Sequence, residues 1–303
     1  MTKSDNKKST MVESGKRVVI SLDAMGGDHA PRSVVAAAAA YYKRNSNTSF
    51  IFTGDEVAIK SELKKVDLPV AYYHIVHTKT VVGNDEGPVK ALRSGRESSM
   101  RKAIDLVKEG AADACLSAGN TGALMVMSKF VLGDLDPHLK RPAITSVFPN
   151  KHGEGAVLLD VGANAECDGA TLTQFAFMGV AFANSVLNIN KPRVGLLNIG
   201  GEAGKGRDVD KKTYEILSAL DLNFIGNVEP MDIVEGKVDV VVTDGFTGNI
   251  TIKVAEAASS ICVDAIKNAI NQNLFTKTLG FLLKKHLKRS FAVIDHRKYN
   301  GAM

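Results

Sequence analysis

The sequence has 303 residues, 45% of them hydrophobic, and a formal net charge of +5 at pH 7. This length and composition suffice for one large core or two smaller ones, and no apolar run reaches the ~20 residues that a membrane-spanning helix needs. The three cysteines, Cys115, Cys167 and Cys262, form no C-x-x-C pair, so neither a disulfide framework nor a zinc site is indicated. Residues 1–16 are polar and lack the apolar segment of a secretory signal, so we predict a disordered tail on a cytoplasmic protein.

Strand-like apolar runs alternate with helical stretches along the chain, and glycine-rich loops join them. The first such unit has a strand at residues 17–20, the turn Gly26-Gly27 and an alanine-rich helix at residues 34–42. At least five units of this kind occur, the last with a strand at residues 238–242 and a long helical region. The pattern is typical of a mostly parallel sheet with helices on both faces. Because no Pro- or Ser-rich linker divides the chain, we predict one doubly wound α/β domain over residues 17–303, with room for a smaller lobe.

The loops after the predicted strands carry the candidate functional residues. Asp23, Asp160 and Asp244 lie where strands end, and glycines follow each of them. In open α/β sheets ligands bind at this edge, and glycine-loop amides and helix N-termini bind anions such as phosphate. Asparagine side chains can donate to a developing oxyanion. A lone Gly-Gly turn is also explained by tight packing of a helix on a strand, but its recurrence favours an anion-binding α/β enzyme.

Other chemistries fit the residues less well. Residues 200–205 are one residue short of a phosphate-binding P-loop, and Gly206 stands where the magnesium-binding Ser or Thr belongs. Gly204 and Gly206 lack the third glycine of a dinucleotide fingerprint, which disfavours a nicotinamide-dependent dehydrogenase. Cys167 beside Glu166 stays open as a nucleophile, although no histidine lies near it in the sequence. No metal cage is evident, and we expect neither a metal nor a cofactor.

Seven motifs in order resemble those of the bacterial phosphate acyltransferases, which transfer fatty acyl groups from acyl carrier protein to inorganic phosphate. They are residues 22–31, 90–93 with 98–100, 117–125, 141–144, 159–164, 224–229 and 244–249. The resemblance implies a fold similar to those of phosphate acetyltransferase and isopropylmalate dehydrogenase, and a homodimer. It also implies acyl phosphate as the product, the first intermediate of phosphatidic acid synthesis. Members of the family continue beyond Ala302 with a further strand and helix, so we expect this sheet to lack them.

The mechanism that we expect is direct attack of phosphate on the thioester carbonyl, giving a tetrahedral oxyanion that expels the carrier thiolate. The substrate-binding candidates are loop and helix residues, namely Asp23, Gly26, Gly27, Lys90, Arg93, Gly119, Thr121, Gly122 and Asp160. The catalytic candidates are oxyanion donors, acid groups and orienting groups, namely Asn120, Asn164, Asn249, His29 and Asp244. The alternative is that the strand-end aspartates only cap the following helices, and that Lys90 and Arg93 face solvent.

The positive charge is concentrated near the C-terminus. No acidic residue lies between Asp264 and Asp295, whereas six lysines and arginines do. We predict that residues 262–291 form a protruding helical segment, and that a helix starting at Leu279 has one apolar and one basic face. The residues concerned are Leu279, Leu282, Leu283, Leu287, Lys284, Lys285, Lys288 and Arg289. Such a helix can lie in a membrane interface. The alternative is that the leucines pack in a dimer or line the acyl groove while the lysines meet solvent or carrier protein.

These features define the expected partners and the competing functions. We expect acyl-acyl carrier protein and phosphate as substrates, a cytoplasmic location at the inner face of the membrane, and no nucleic acid. A downstream membrane-bound acyltransferase would receive the product. The nearest alternative is an acyltransferase with short acyl-CoA donors, whereas an acidic carrier protein would favour a basic docking surface. A non-catalytic acyl- or phosphate-binding protein is the third reading.

Overall fold

The computed structural model describes residues 17–134, 136–137, 139–291 and 300–302, so the tail predicted at residues 1–16 lies outside the described residues. The chain divides into two compact units, residues 1–133 and 134–303, and each contains its own sheet. The sequence predicts one domain because no linker composition marks a boundary. The boundary falls instead after Gly133, which ends a helix with a φ of +80°. A glycine in this conformation ends a helix and redirects the chain, so no Pro- or Ser-rich linker is needed.

The first unit, which we call unit 1, contains a four-stranded parallel sheet. Its elements are β1 (Val18–Asp23), α1 (Arg32–Tyr42), β2 (Thr48–Gly54), α2 (Glu56–Leu63), β3 (Tyr73–His77), α3 (Pro88–Ser94), α4 (Ser99–Lys108), β4 (Ala114–Ser117) and α5 (Thr121–Leu132), with a 3-10 helix at Val70–Tyr72. The strand order is β3-β2-β1-β4. Phe52 on β2 and Ile59 on α2 are fully buried in the core of this unit. Because the strands are parallel, their carboxyl ends share one edge, and the loops that follow them lie there.

The second unit, unit 2, contains a six-stranded mixed sheet. Its elements are β5 (Ile144–Pro149), β6 (Gly155–Leu159), α6 (Gly169–Val186), β7 (Val194–Leu197), α7 (Asp208–Ser218), β8 (Phe224–Val228), α8 (Pro230–Glu235), β9 (Val240–Val242), α9 (Gly245–Ile270), α10 (Leu274–Phe291) and β10 (Asn300–Ala302). The strand order is β10-β5-β6-β9-β7-β8. Strands β6, β9, β7 and β8 are parallel to one another, whereas β5 is antiparallel to β6 and β10 is antiparallel to β5. The predicted class, α/β with a mostly parallel sheet, is confirmed.

Most strands and helices predicted from the sequence are present, with ends that differ by a few residues. The apolar pattern does not identify β5, because Thr145 and Ser146 interrupt it, yet both residues are buried in the sheet. Gly226 and Asn227 obscure β8 in the same way. Helix α6 packs closely on its sheet at Gly179, where a Cβ atom would overlap the Val240 side chain. The small side chains of this helix, such as Ala176 and Ala183, permit this close approach.

Helices α9 and α10 confirm that the C-terminal segment is helical. Helix α9 has 26 residues, but its buried residues are Gly245 and Gly248 in the first turn. Helix α10 begins at Leu274 rather than at the predicted Leu279. It lies against the end of α9, because a Cβ atom on Gly280 would overlap the Ile270 side chain. Among the described residues, none of the helices combines the length and the apolar character needed to cross a membrane.

Candidate functional site

In unit 1, the ends of β1 and β4 are joined through a buried carboxylate. Asp23 is the last residue of β1 and is 2% exposed. Its Oδ2 accepts a hydrogen bond from Ser117 Oγ at the end of β4, at 2.6 Å. Its Oδ1 accepts a longer bond of 3.3 Å from the backbone N–H of Met25. Ser117 Oγ accepts from the N–H of Gly119 at 3.1 Å, so the two loops are connected at their first residues.

The two adjacent glycines are required by the close approach of these loops. A Cβ atom on Gly26 would lie 2.7–2.8 Å from Asp23 Oδ2, the Gly119 nitrogen and Ser117 Oγ. Gly27 has a φ of +90°, and its Cβ would lie 2.9 Å from the carbonyl oxygen of Ala118. These contacts are closer than side chains tolerate, so packing alone explains both glycines. The structure therefore brings Gly26, Gly27 and Gly119 together.

Asn120 has a local role that the sequence does not reveal. It is the N-cap of α5, and its Oδ1 accepts the N–H of Ala123 at 2.9 Å. Its Nδ2 donates to the carbonyl oxygens of Asn84 at 2.9 Å and Glu86 at 2.8 Å. The hydrogens of the Asn120 amide are thus directed at the loop between β3 and α3. An oxyanion would have to compete with that loop for them.

The three basic candidates of unit 1 are exposed. Lys90 and Arg93 lie on α3, and His29 lies in the loop after β1. Within the part of the chain that the structure describes, none of these three side chains makes a hydrogen bond or an ion pair. Thr121 is also exposed, and Gly122 lies against Pro88 at the start of α3. The alternative reading for Lys90 and Arg93, that they face solvent, agrees with these positions.

In unit 2, Asp160 follows β6 and is completely buried. Its Oδ1 accepts backbone N–H groups from Ile144 at 2.9 Å, Gly162 at 3.2 Å and Ala163 at 3.1 Å. Its Oδ2 accepts from the Asn164 backbone N–H at 2.6 Å and from Asn164 Nδ2 at 3.0 Å. Five N–H donors therefore fill the acceptor sites of this carboxylate, and it shapes the loop after β6.

The two asparagines predicted as oxyanion donors in unit 2 differ in what their amides do. Asn164 Nδ2 donates both to the carbonyl oxygen of Pro142 at 2.8 Å and to Asp160 Oδ2 at 3.0 Å. Asn249 Nδ2 donates to the carbonyl oxygen of Val161 at 3.0 Å. Among the described residues, the second N–H of Asn249 has no acceptor. Asn249 is thus the member of the pair with an N–H left for a ligand.

Asp244 is held by an arginine that is absent from the candidates chosen by sequence. Its Oδ1 accepts the N–H of Thr247 at 2.7 Å, which caps α9, and the Arg207 guanidinium lies 2.6 Å from its Oδ2. Arg207 also forms a two-pronged contact with Asp210, at 2.8 and 3.0 Å. Burial alone would raise the pKa of Asp244, but the hydrogen bonds from Thr247 and Arg207 hold it below its ordinary value. The hydrogen bonds to Asp210 and then to Asp244 raise the pKa of Arg207, against the effect of burial.

Cys167 has the surroundings of an inert thiol. Burial, followed by the nearby charges of Asp160 and Asp244, raises its pKa to about 11. Its Sγ lies 3.7 Å from the carbonyl oxygen of Asn164. A nucleophilic cysteine needs a lowered pKa, so the geometry disfavours that alternative. The described residues also contain no cluster of three or more His, Cys, Asp or Glu that could hold a metal ion.

The leucines and lysines predicted to contact a membrane or carrier protein lie on α10, and most of the described ones are exposed. Leu279, Leu282 and Leu283 are 42%, 68% and 51% exposed. Lys284 and Lys285 are exposed, whereas Leu287 is half-buried. The side chains of Lys288 and Arg289 lie outside the described residues. The described part of this helix thus carries both leucines and lysines that are exposed.

The fold is similar to that of solved acyltransferases. The EutD phosphotransacetylase from Staphylococcus aureus is 18% identical, with a TM-score of 0.55, and the match covers 80% of this chain and 83% of that chain. A phosphotransacetylase from Streptococcus pyogenes is 20% identical, with a TM-score of 0.57 over 81% of this chain and 83% of that chain. At such identities the likeness shows the fold alone. The chain is an α/β protein with the phosphotransacetylase fold.

Sequence comparison then identifies the family. A family model described as "Fatty acid synthesis protein" matches residues 18–303. A phosphate acyltransferase from Rhodospirillum centenum is 48% identical over 291 residues, which cover 95% of this chain and 81% of that relative. One from Halothermothrix orenii is 43% identical over 288 residues, 94% of this chain and 85% of that relative. The chain belongs to the phosphate acyltransferase family, and it is an acyl-transferring enzyme.

Proposed function

We propose that this enzyme transfers a fatty acyl group from acyl carrier protein to inorganic phosphate, giving acyl phosphate for phosphatidic acid and phospholipid synthesis. The observation that carries the proposal is the 48% identity to a phosphate acyltransferase over 95% of the chain. The site chemistry supports it, because the strand-end loops offer amide donors and bound carboxylates, and the thiol of Cys167 is held protonated. Such a site positions two reactants and stabilises charge.

The first turn of α5 is the phosphate site that we propose. Asn120 caps this helix through the N–H of Ala123, and the N–H groups of Thr121 and Gly122 have no acceptor among the described residues. The positive end of the α5 dipole adds to the attraction of these amides for an anion. A Cβ atom on Gly122 would lie 2.8 Å from Pro88 Cγ, so α3 begins beside the same turn. The exposed Lys90 follows Pro88 by two residues and can contribute positive charge.

The reaction needs no covalent intermediate on the protein. A phosphate oxygen forms a bond to the thioester carbon, and the carbonyl oxygen takes up the negative charge. Collapse of this intermediate breaks the C–S bond and releases the thiolate. Holding the two reactants in the reactive orientation can contribute ~7–11 kcal/mol. Asn249, which keeps an N–H without an acceptor among the described residues, is the oxyanion donor that we propose.

An acyl-phosphate assay tests this function. The purified full chain is given inorganic phosphate with palmitoyl-acyl carrier protein, palmitoyl-CoA or acetyl-CoA, and release of the donor thiol is measured, with phosphate omitted as the control. We expect phosphate-dependent turnover with the palmitoyl carrier protein. Turnover with acetyl-CoA alone would favour the short-chain alternative, to which the phosphotransacetylase fold lends support. Binding of phosphate without turnover of any donor would favour a non-catalytic protein.

We also propose a homodimer that forms through α9. Four exposed apolar side chains on this helix lie at intervals of four, four and seven residues, so they form one stripe along it. They are Phe246, Ile250, Val254 and Ile261, and they are 46–70% exposed. A self-complementary stripe of this kind suits a symmetric dimer. Sedimentation velocity of a Val254→Glu variant should show monomers, with Ser259→Glu on the opposite face as the control. A dimer that survives Val254→Glu contradicts this interface.

Finally, we propose that α10 attaches the enzyme reversibly to the inner face of the membrane, where a membrane-bound acyltransferase receives the product. Each basic residue near an anionic surface adds ~1 kcal/mol, so Lys284 and Lys285 with a few leucines give weak attachment. A Leu282→Glu, Leu283→Glu variant should stay dimeric and active but lose co-sedimentation with anionic vesicles at low salt. Continued pelleting of that variant would exclude α10 as the attachment site.

A further inference from the structure

The loop at residues 83–87, between β3 and α3, is fastened by one side chain of α5. Asn120 Nδ2 lies 3.3 Å from the carbonyl oxygen of Gly83, 2.9 Å from that of Asn84 and 2.8 Å from that of Glu86. The loop thus curls three carbonyl groups around a single amide nitrogen. Asn120 Oδ1 meanwhile accepts the N–H of Ala123, so both ends of the side-chain amide are engaged. One residue caps the helix and holds the loop.

Polar contacts dominate the attachment of this loop. Val82 before it is buried, but Gly83, Asn84 and Asp85 are exposed. Asn84 Nδ2 donates to Asp28 Oδ1 at 3.0 Å, which connects the loop to the turn that follows Gly27. With so little apolar contact, the position of the loop depends on hydrogen bonds to Asn120 and Asp28, together with one from Ser94 Oγ to Glu86 Oε1 at 3.0 Å.

The loop leads directly into the region where we place phosphate. It ends at Gly87, and Pro88 begins α3 against Gly122 in the first turn of α5. A displacement of the loop would therefore move the start of α3, with Lys90, relative to the free amides of that turn. We therefore expect such a displacement to weaken phosphate binding more than it slows the attack on the thioester carbonyl.

We propose that Asn120 is a positioning residue for phosphate, because its amide clamps the loop at residues 83–87 beside the first turn of α5. This inference rests on the proposed function and deepens it. It reassigns Asn120 from oxyanion donor to substrate positioning, since its amide hydrogens already point at loop carbonyls. Asn84 takes part in the same arrangement through Asp28.

The experiment uses the substitution Asn120→Ser in the full chain. Serine is an equally good N-cap, so the helix keeps its cap while the two amide donors are lost. Two hydrogen bonds of ordinary strength correspond to roughly a 10- to 30-fold rise in the KM for phosphate. We expect kcat and the KM for the acyl donor to change by less than about threefold, and hydrogen exchange at residues 83–87 to accelerate. Asn84→Ala, which loses one bond, should raise the phosphate KM by about threefold.

Two further variants sharpen the result. In Asn120→Ser the loop is already released, so the bond from Asn84 to Asp28 contributes little to its position. The double variant Asn120→Ser, Asn84→Ala should therefore raise the phosphate KM by less than the product of the two single effects. Asn223→Ser is the matched control, because Asn223 Nδ2 also donates to a backbone carbonyl, that of Lys191 at 3.0 Å, but in unit 2. It should leave the phosphate KM unchanged.

Several outcomes would overturn the inference. A loss of turnover by roughly 10²-fold or more, with an unchanged phosphate KM, would return Asn120 to the oxyanion role. Faster exchange at residues 83–87 with unchanged kinetics would leave the clamp purely structural. If Asn120→Ser does not fold, an unchanged phosphate KM in Asn84→Ala contradicts the proposal. Failure of the wild-type chain to turn over any acyl donor is a different result, because it overturns the proposed function while the exchange measurement still reports on the clamp.

Discussion

Asp23 in unit 1 and Asp160 in unit 2 have the same signature in the sequence, an aspartate at the end of a strand just before a glycine-containing loop. Both are buried, at 2% and 0% exposure. Asp160 accepts five N–H groups, all from residues 144–164. Asp23 accepts one hydroxyl at 2.6 Å and one backbone N–H at the long distance of 3.3 Å. An ionised carboxylate has about four acceptor sites, so Asp160 is saturated whereas Asp23 keeps acceptor capacity for a ligand. We therefore interpret Asp160 as a structural acid and Asp23 as a candidate functional one.

The largest expected effect tests this contrast through stability. Asp160→Asn places an amide where two N–H donors from Asn164 now point, and it removes the charge that several backbone N–H groups share. We expect the free energy of unfolding to fall by roughly 3–5 kcal/mol. Asp23→Asn should cost only about 1–2 kcal/mol, because the hydroxyl of Ser117 can rotate and donate to the new carbonyl oxygen. Urea denaturation followed by circular dichroism measures both. Equal losses would mean that the two aspartates have the same role.

The sequence anticipates where these acids lie but not what they do. Strand-end aspartates and glycine loops are visible as a local pattern, and parallel strands put them at one edge. The number of donors around each carboxylate depends on residues distant in the sequence, such as Ser117 for Asp23 and Ile144 for Asp160. Ser117 has a recognisable signal, because it ends a strand just before Gly119. The carbonyl groups that accept from Asn120 Nδ2 lie more than thirty residues away, in a loop without a regular pattern.

The fold shows the same limit. Continuous apolar strands such as β9, which lies within the predicted residues 238–242, are identified because burial on both faces produces an uninterrupted apolar run. Strand β5 is missed since its buried Thr145 and Ser146 look polar in the sequence. The division into two units is also missed, because a single glycine at Gly133 replaces the linker composition that marks most boundaries. Arg207 escapes notice because Asp244, the candidate that its guanidinium contacts, is distant in the sequence and becomes its neighbour only in the folded chain.

The second prediction extends the comparison to the asparagines of unit 2. Asn249→Ala should lower kcat by roughly 10²–10³-fold, because the side chain keeps an N–H for the developing oxyanion. Asn164→Ala should instead lower the free energy of unfolding by about 2 kcal/mol, since it breaks bonds to Pro142 and Asp160. Steady-state kinetics and urea denaturation of both variants give the two readouts. A folded Asn249→Ala variant with wild-type turnover would remove the last of the three asparagines as an oxyanion donor.

The third prediction concerns Asp244, a strand-end aspartate that has a cation, Arg207, as one of its partners. The lowered pKa of Asp244 contributes stability above the pKa of an unfolded aspartate, about 3.9, and that stability is lost as the pH falls through the lower folded-state pKa. Arg207→Gln removes one cause of the lowered pKa and should cost about 1 kcal/mol at pH 7. The difference from wild type should stay constant above about pH 5 and shrink towards pH 2.

Denaturation midpoints in urea between pH 2 and pH 8 measure this dependence. Lys237→Gln is the control, because Lys237 forms exposed ion pairs with Asp232 and Glu235 and should change stability by no more than about 0.5 kcal/mol. A difference between Arg207→Gln and wild type that is as large at pH 2 as at pH 7 would show that Arg207 acts through packing instead of through the charge of Asp244.

The smallest expected effect concerns the two partly buried thiols, one beside each kind of aspartate. Burial raises the pKa of both, with Asp23 adding to the effect at Cys115 and Asp160 and Asp244 adding to it at Cys167. With a pKa of about 11, Cys167 has a thiolate fraction at pH 8 that is roughly 10²-fold below that of an ordinary cysteine. Its alkylation by iodoacetamide should be slower by about that factor and should accelerate steadily up to pH 11.

Mass spectrometry of the alkylated peptides follows each thiol separately, and the exposed Cys262 provides the internal reference. The same experiment with palmitoyl-acyl carrier protein and no phosphate should leave Cys167 unacylated, because a protonated thiol is a poor nucleophile. A palmitoyl thioester trapped on Cys167 would contradict direct attack by phosphate. It would also mean that Asp160 and Asp244 do not hold the thiol protonated in the presence of the acyl donor, and that the structural aspartate of unit 2 takes part in the chemistry after all.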